Sequence, residues 1–143
     1  MTQRALDLGL HQRTVLVTTE TARAALGVDA ETVWTRVDSG TLRWVWNVSA
    51  AGGPLRELRF WARELVAPDA CRDLDLDHVV NQVVGMESRE YLRSGEVAHL
   101  LLVSDPHVGR LWKAGALPGL IAGRTLKLRR DGLVKFLQER IVV

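Results

Sequence analysis

Apolar residues in this chain recur at two spacings, one helical and one strand-like, and the spacings follow each other in a set order. Val97, Leu100 and Leu101 fall three and four residues apart, which predicts a short helix over residues 96–102. Ser104 follows as an N-cap, and Pro106 falls in the first turn of the next helix, where a missing N–H is tolerated. Val108, Leu111 and Trp112 line one face of that helix and leave His107, Gly109, Arg110 and Lys113 on the other. Gly115 stands where a glycine ends a helix. Beyond Pro118, Leu126 and Leu128 alternate with Thr125, Lys127 and Arg129, the period of a half-buried strand, and Gly123 supplies the turn of a hairpin over residues 120–129. Asp131 is placed to cap a last helix over residues 132–140, with Leu133, Phe136, Leu137 and Ile141 facing inward.

The same apolar spacing occurs earlier. Shifted by 75 positions, residues 26–42 match residues 101–117 without a gap, and Leu26/Leu101, Val28/Val103, Val33/Val108, Gly40/Gly115 and Leu42/Leu117 are identical pairs. Residues 19–26 therefore predict a first helix, and Asp29 caps a second. Leu42, Trp44, Trp46 and Val48 share one face of a strand, residues 49–54 form a glycine-rich tip, and Leu58 and Phe60 lie on the return strand. This longer hairpin carries Arg43, Arg56 and Arg59. Residues 61–66 fit either a helix or more strand. Between the copies, Asp77 is placed to cap a helix ending near Met86, whose Val79, Val80, Val83 and Val84 must pack on one or both copies or on a second chain.

Helix, helix, hairpin, helix is the order of a winged helix. The expected fold is α+β, two tandem winged helix-turn-helix modules over residues 14–66 and 91–140 joined by an acidic, partly helical connector over 67–90. Glu96-Val97-Ala98, Val103-Ser104, Gly115-Ala116-Leu117-Pro118, Gly123-Arg124 and Leu133 with Phe136-Leu137 carry a family resemblance. On these residues the stretch 95–140, about a third of the chain, resembles the winged helix of excisionases and of the mercury-resistance-regulator superfamily. The first copy resembles it more distantly. The resemblance implies that the second helix enters the DNA major groove and the wing meets the backbone or minor groove. His107, Arg110 and Lys113 would then face the groove, and Arg124 and Lys127 would lie on the wing. Two positions depart from the family: Ile121 replaces a usually polar wing residue, and Gly132 replaces an acid before the last leucine.

Composition narrows the function. At 47% hydrophobic and 25% charged, the chain has a globular profile, and no apolar run approaches the ~20 residues that span a bilayer. The first residues carry an early acid and lack the apolar stretch of a secretory signal, so a cytoplasmic location is expected. The single cysteine, Cys71, makes no internal disulfide, and the four histidines lack metal-ligand spacing, so no cofactor or metal is expected. Asp73, Asp75 and Asp77 alternate, but an EF-hand loop starting at Asp73 would need glycine and glutamate where His78 and Val84 stand. No nucleophile–base constellation or phosphate-binding loop is legible, so an enzyme is not expected.

Charge is uneven along the chain. The net charge is +2 over residues 1–63, −5 over 64–90 and +5 over 91–143. A basic last third points to an anionic partner, and double-stranded DNA is the expected one. Arg110, Lys113, Arg124, Lys127 and Arg129 form the expected surface of the second copy, with Arg36, Arg43 and Arg56 in the first. Glu31 and Asp38 beside Arg36 predict weaker DNA contact there. Trp44, Trp46 and Trp112 read as core, and Trp34 as half-exposed. Self-association through the connector or C-terminal tail is also expected, as is independent folding of a fragment beginning near residue 87. The expected function is site-specific DNA binding by an excisionase-like factor or transcription regulator. The competing readings are a phage DNA-packaging initiation subunit and a protein-interaction adaptor that does not touch DNA.

Overall fold

Each half of the chain threads a short strand, two helices and a hairpin into a three-stranded antiparallel sheet followed by a helix. The computed structural model describes residues 15–50, 56–85 and 89–142. The first half comprises β1 (Leu16–Val17), α1 (Thr19–Leu26), α2 (Ala30–Asp38), β2 (Val45–Asn47), β3 (Leu58–Trp61) and α3 (Ala62–Val66). After α4 (Pro68–Cys71) and α5 (Leu76–Val84) come β4 (Tyr91–Arg93), α6 (Ser94–Leu101), α7 (Asp105–Lys113), β5 (Gly119–Ala122), β6 (Thr125–Arg129) and α8 (Arg130–Arg140). The sheet orders are β1-β3-β2 and β4-β6-β5, so the last strand of each hairpin lies central. The molecule is mixed α+β.

The repeat survives in three dimensions. Helices α1 and α6, and α2 and α7, begin and end at positions related by the same 75-residue shift. Asp29 and Ser104 cap α2 and α7, accepting from Thr32 N at 2.8 Å and His107 N at 3.2 Å. Where Gly27 ends α1 in the left-handed region at φ 68°, Leu102 takes the same conformation after α6 at φ 54°. A leucine is strained there, since its Cβ crowds the following carbonyl.

Several boundaries differ from expectation, mostly because strands run straight into helices. Helix α6 starts at Ser94 directly after β4, and Glu96 accepts the Arg93 N–H at 3.0 Å. Helix α8 starts at Arg130 directly after β6; Asp131 does not cap it but accepts two bonds from Arg129 at 3.0 Å. Asp75, not Asp77, caps α5, accepting from His78 N at 2.7 Å, while Asp77 accepts from Gln138 of α8. The ambiguous stretch divides after Trp61, which ends β3, and helix α3 follows. The glycine-rich tip beyond Ala50, residue 14 of the expected first module and the Met86 end of the connector helix lie outside the described residues.

Gly132 has a packing reason. A Cβ there would overlap the Pro118 ring, which lies against the start of α8. The missing acid therefore makes room for the chain entering β5.

Two apolar cores share the first sheet. Val45, Leu58 and Phe60 face α1 and α2, packing with Ala22, Val33, Val37 and Leu42. From the other side of the same sheet, Leu16, Trp44, Trp46, Val48 and Trp61 join Val97, Leu101, Val108, Leu111, Leu128, Leu133 and Leu137 of the second half. The connector valines complete this larger core: Val79, Val80 and Val83 are buried and Val84 partly so. Trp44 and Trp61 meet edge to face, with ring centroids 6.4 Å apart.

Polar contacts tie the halves further. Arg59, only 7% exposed, donates to the carbonyls of Leu101 at 2.9 Å and Leu102 at 2.7 Å, satisfying the end of α6. It is therefore an internal strut, not a charge on the hairpin's outer surface. Arg140 donates to the Ser49 carbonyl at 2.9 Å. Ile141 bridges to Trp46, and Val142 N donates to the Val45 carbonyl at 2.8 Å. The connector and the C-terminal tail, expected to serve self-association, are thus engaged within the chain.

Candidate nucleic-acid interface

Helix α7 buries Val108 and Leu111, as its periodicity requires, and turns Arg110 and Lys113 to solvent. Neither side chain makes a hydrogen bond or ion pair among the described residues. Helix α7 and the β5–β6 hairpin are held together by Trp112, half-buried on the shared core, whose Nε1–H donates to the Gly119 carbonyl at 3.4 Å. Arg124 stands exposed at the hairpin turn, also without a partner among the described residues. Lys127 is half-buried on β6, opposite Arg93 of β4 and Leu120 of β5. Among the described residues, no acid is paired with Arg110, Lys113 or Arg124.

The remaining candidates are placed otherwise. His107 is not on the free face. It is 7% exposed, and its Nε2 lies 2.7 Å from the Val48 carbonyl, with Nδ1 3.5 Å from Glu57. The first hairpin covers that side of α7, which periodicity within α7 alone could not show. Arg129 is half-buried and committed to Asp131, with Glu90 at 3.9 Å and Tyr91 beneath its guanidinium at 5.9 Å. The paired bonds to Asp131 hold Arg129 above its ordinary pKa and draw Asp131 below the usual carboxylate range.

In the first half, Arg36 is half-buried on α2, with Glu31 and Asp38 exposed on the same helix. Arg43 donates to the Arg72 carbonyl at 2.7 Å and lies 4.5 Å above the Trp44 ring. Arg56 lies 5.8 Å from the half-buried Trp34 ring. Among the described residues, no hydrogen bond or ion pair links these three to the second-half cations.

Sequence reasoning missed two features here. Leu120 and Ile121 are 42% and 56% exposed on β5, an edge strand of the second sheet. The sequence places Ile121 on the wing where a polar residue is usual, and only the tertiary placement leaves Leu120 beside it in water as well. A cleft of about 370 Å³ opens beside α5 and α6, lined by Val84, His99 and Leu100 among others. Its Arg89–Glu96 pair is closed by two bonds of 3.1 and 2.7 Å.

Among the described residues, no group of three or more His, Cys, Asp or Glu side chains could hold a metal ion, and no helix is long and apolar enough to cross a membrane. No protein-family model matches the sequence, and no curated protein or solved structure matches it.

Proposed function

We propose that the chain is a site-specific double-stranded DNA-binding protein of excisionase or transcription-regulator type, built from two tandem winged helix-turn-helix modules. The observation that carries this is that Arg110, Lys113 and Arg124, on adjoining elements of the basic half, are exposed and have no acidic partner among the described residues. Helix α7 acts as the reading helix. Arg110 has the fork geometry to take two acceptors of a guanine edge, and Lys113 takes a phosphate. Arg124, at the tip of the β5–β6 wing, contacts the backbone alongside.

The first module plays a different part. Its α2 carries Glu31 and Asp38, which phosphates repel, and its hairpin face is committed to the second half. It serves as a platform that fixes the bearing of α7. The exposed Leu120 and Ile121 favour a second reading, a protein-interaction adaptor using the wing as a docking edge.

Selection from random duplexes, followed by a salt titration on the recovered sequence, tests the proposal. Lys113 and Arg124 on two phosphates give a log–log salt slope of roughly −2, at about −0.9 per neutralised phosphate. A flat salt dependence, or no shared sequence recovered, overturns DNA recognition. The adaptor reading requires no duplex binding even at low salt.

A further inference from the structure

We propose that Gly109 is a close-approach position, where the missing side chain lets the backbone of α7 descend onto the floor of a DNA major groove. This rests on the DNA-binding reading above. Helix α7 buries His107, Val108 and Leu111. At 3.6 residues per turn, the middle of the opposite face falls at Gly109 and Lys113, with Pro106 beside them and Arg110 and Asp105 on the flanks. Gly109 is therefore the point of the helix nearest to anything lying over that face.

Nothing within the described fold calls for glycine there. Its φ is not positive, and an added Cβ would meet no atom within 4 Å beyond the local backbone of its own helix. A glycine in mid-helix weakens the helix relative to alanine, because the unfolded chain gains freedom. The weakening is unexplained by the folded chain alone, which points to a partner's surface.

The corresponding position of the first half is occupied in the opposite way. Position 34, 75 residues earlier, holds tryptophan, with Arg56 beside its ring at 5.8 Å. One helix carries the bulkiest side chain where the other carries none. The face of α2 is thus filled from within, and the face of α7 is left open. The occupant is a polyanion, because Arg110 and Lys113 beside the gap have no acidic partner among the described residues.

The test measures Gly109→Ala and Gly109→Leu for thermal midpoint and for affinity to the duplex recovered by selection. Alanine is expected to keep or raise the midpoint while weakening that duplex roughly tenfold, and leucine to weaken it further, at an unchanged salt slope since no cation is lost. If the wild type binds and both variants match it, the close-approach role is overturned while DNA recognition stands. If the wild type binds no duplex, both fall. If Gly109→Leu instead dissociates a dimer in sedimentation and leaves duplex affinity intact, the face belongs to a second copy and the proposal is overturned.

Discussion

Glu64 is 4% exposed, and its two carboxylate oxygens accept the N–H groups of Arg43 and Trp44 at 3.1 and 3.0 Å. It thereby pins the chain entering β2, while Trp44 Nε1–H donates to the Cys71 carbonyl at 2.9 Å. Burial lifts the Glu64 carboxyl above its ordinary pKa, against the two N–H bonds that draw it down. An acid raised in the folded state holds its proton there more tightly than in the unfolded chain. Between the unfolded and folded values the native state carries more protons, so this group's contribution to stability falls as pH rises through that window. Asp29, Glu96 and Asp131 are held below their ordinary values and act in the opposite sense, their contributions being lost as pH falls. Glu64→Gln keeps only one of the two acceptors and should be less stable by about 1–3 kcal/mol. Urea midpoints of wild type and Glu64→Gln across mildly acidic to neutral pH should show the gap narrowing as pH rises. A gap that widens would contradict the assignment. Arg59 is the basic counterpart: burial draws its pKa down, Glu57 opposes this, and its hydrogen bonds to the backbone hold it inside.

At the scale of elements, helix ends separate what local pattern decides from what neighbours decide. Asp29 and Ser104 are identified correctly because each stands in a loop, before an uninterrupted apolar period. At α5 two aspartates compete, and the nearer to the valines is the wrong choice. Asp75→Ala should cost about 1 kcal/mol, as loss of an N-cap does, and Asp77→Ala no more than about 0.5 kcal/mol. Chemical denaturation of the two variants checks the order, and a larger loss at Asp77 would reverse the assignment. Strands β1 and β4 are two and three residues long, too short to show a period, and exist because each lies against the central strand of its sheet. Their pairing explains why α6 begins earlier than its own apolar spacing indicates.

The whole molecule is organised around the first sheet, which is buried on both faces. Val45 and Phe60 face α1 and α2, while Trp44, Trp46 and Trp61 are shared with the second half. A fragment beginning near residue 87, expected from its sequence to fold alone, lacks those three tryptophans and the connector valines, and so loses a wall of its core. Calorimetry of the full chain should show one cooperative transition, with tryptophan fluorescence and far-ultraviolet circular dichroism superimposing. The fragment should give no cooperative transition. Two resolved transitions, or a stably folded fragment, would show that the shared core contributes little. Such coupling bears on the proposed function, because a single body presents α7 at a fixed angle to whatever the first half touches.

The amino-acid sequence by itself determined the mixed α+β content, the 75-residue correspondence, the caps at Asp29 and Ser104, and the solvent face of α7 with Arg110 and Lys113. These are local: periodicity and capping act over a few residues, and the chain's order records them directly. Only the tertiary structure decided that His107 and Arg59 turn inward and that Leu120 stays in water beside Ile121. Each of those outcomes depends on what packs against the residue from a distant part of the chain. Amphipathic pattern says which side of an element is buried, and it cannot say that an element such as β2 or α7 will be covered from a second side as well.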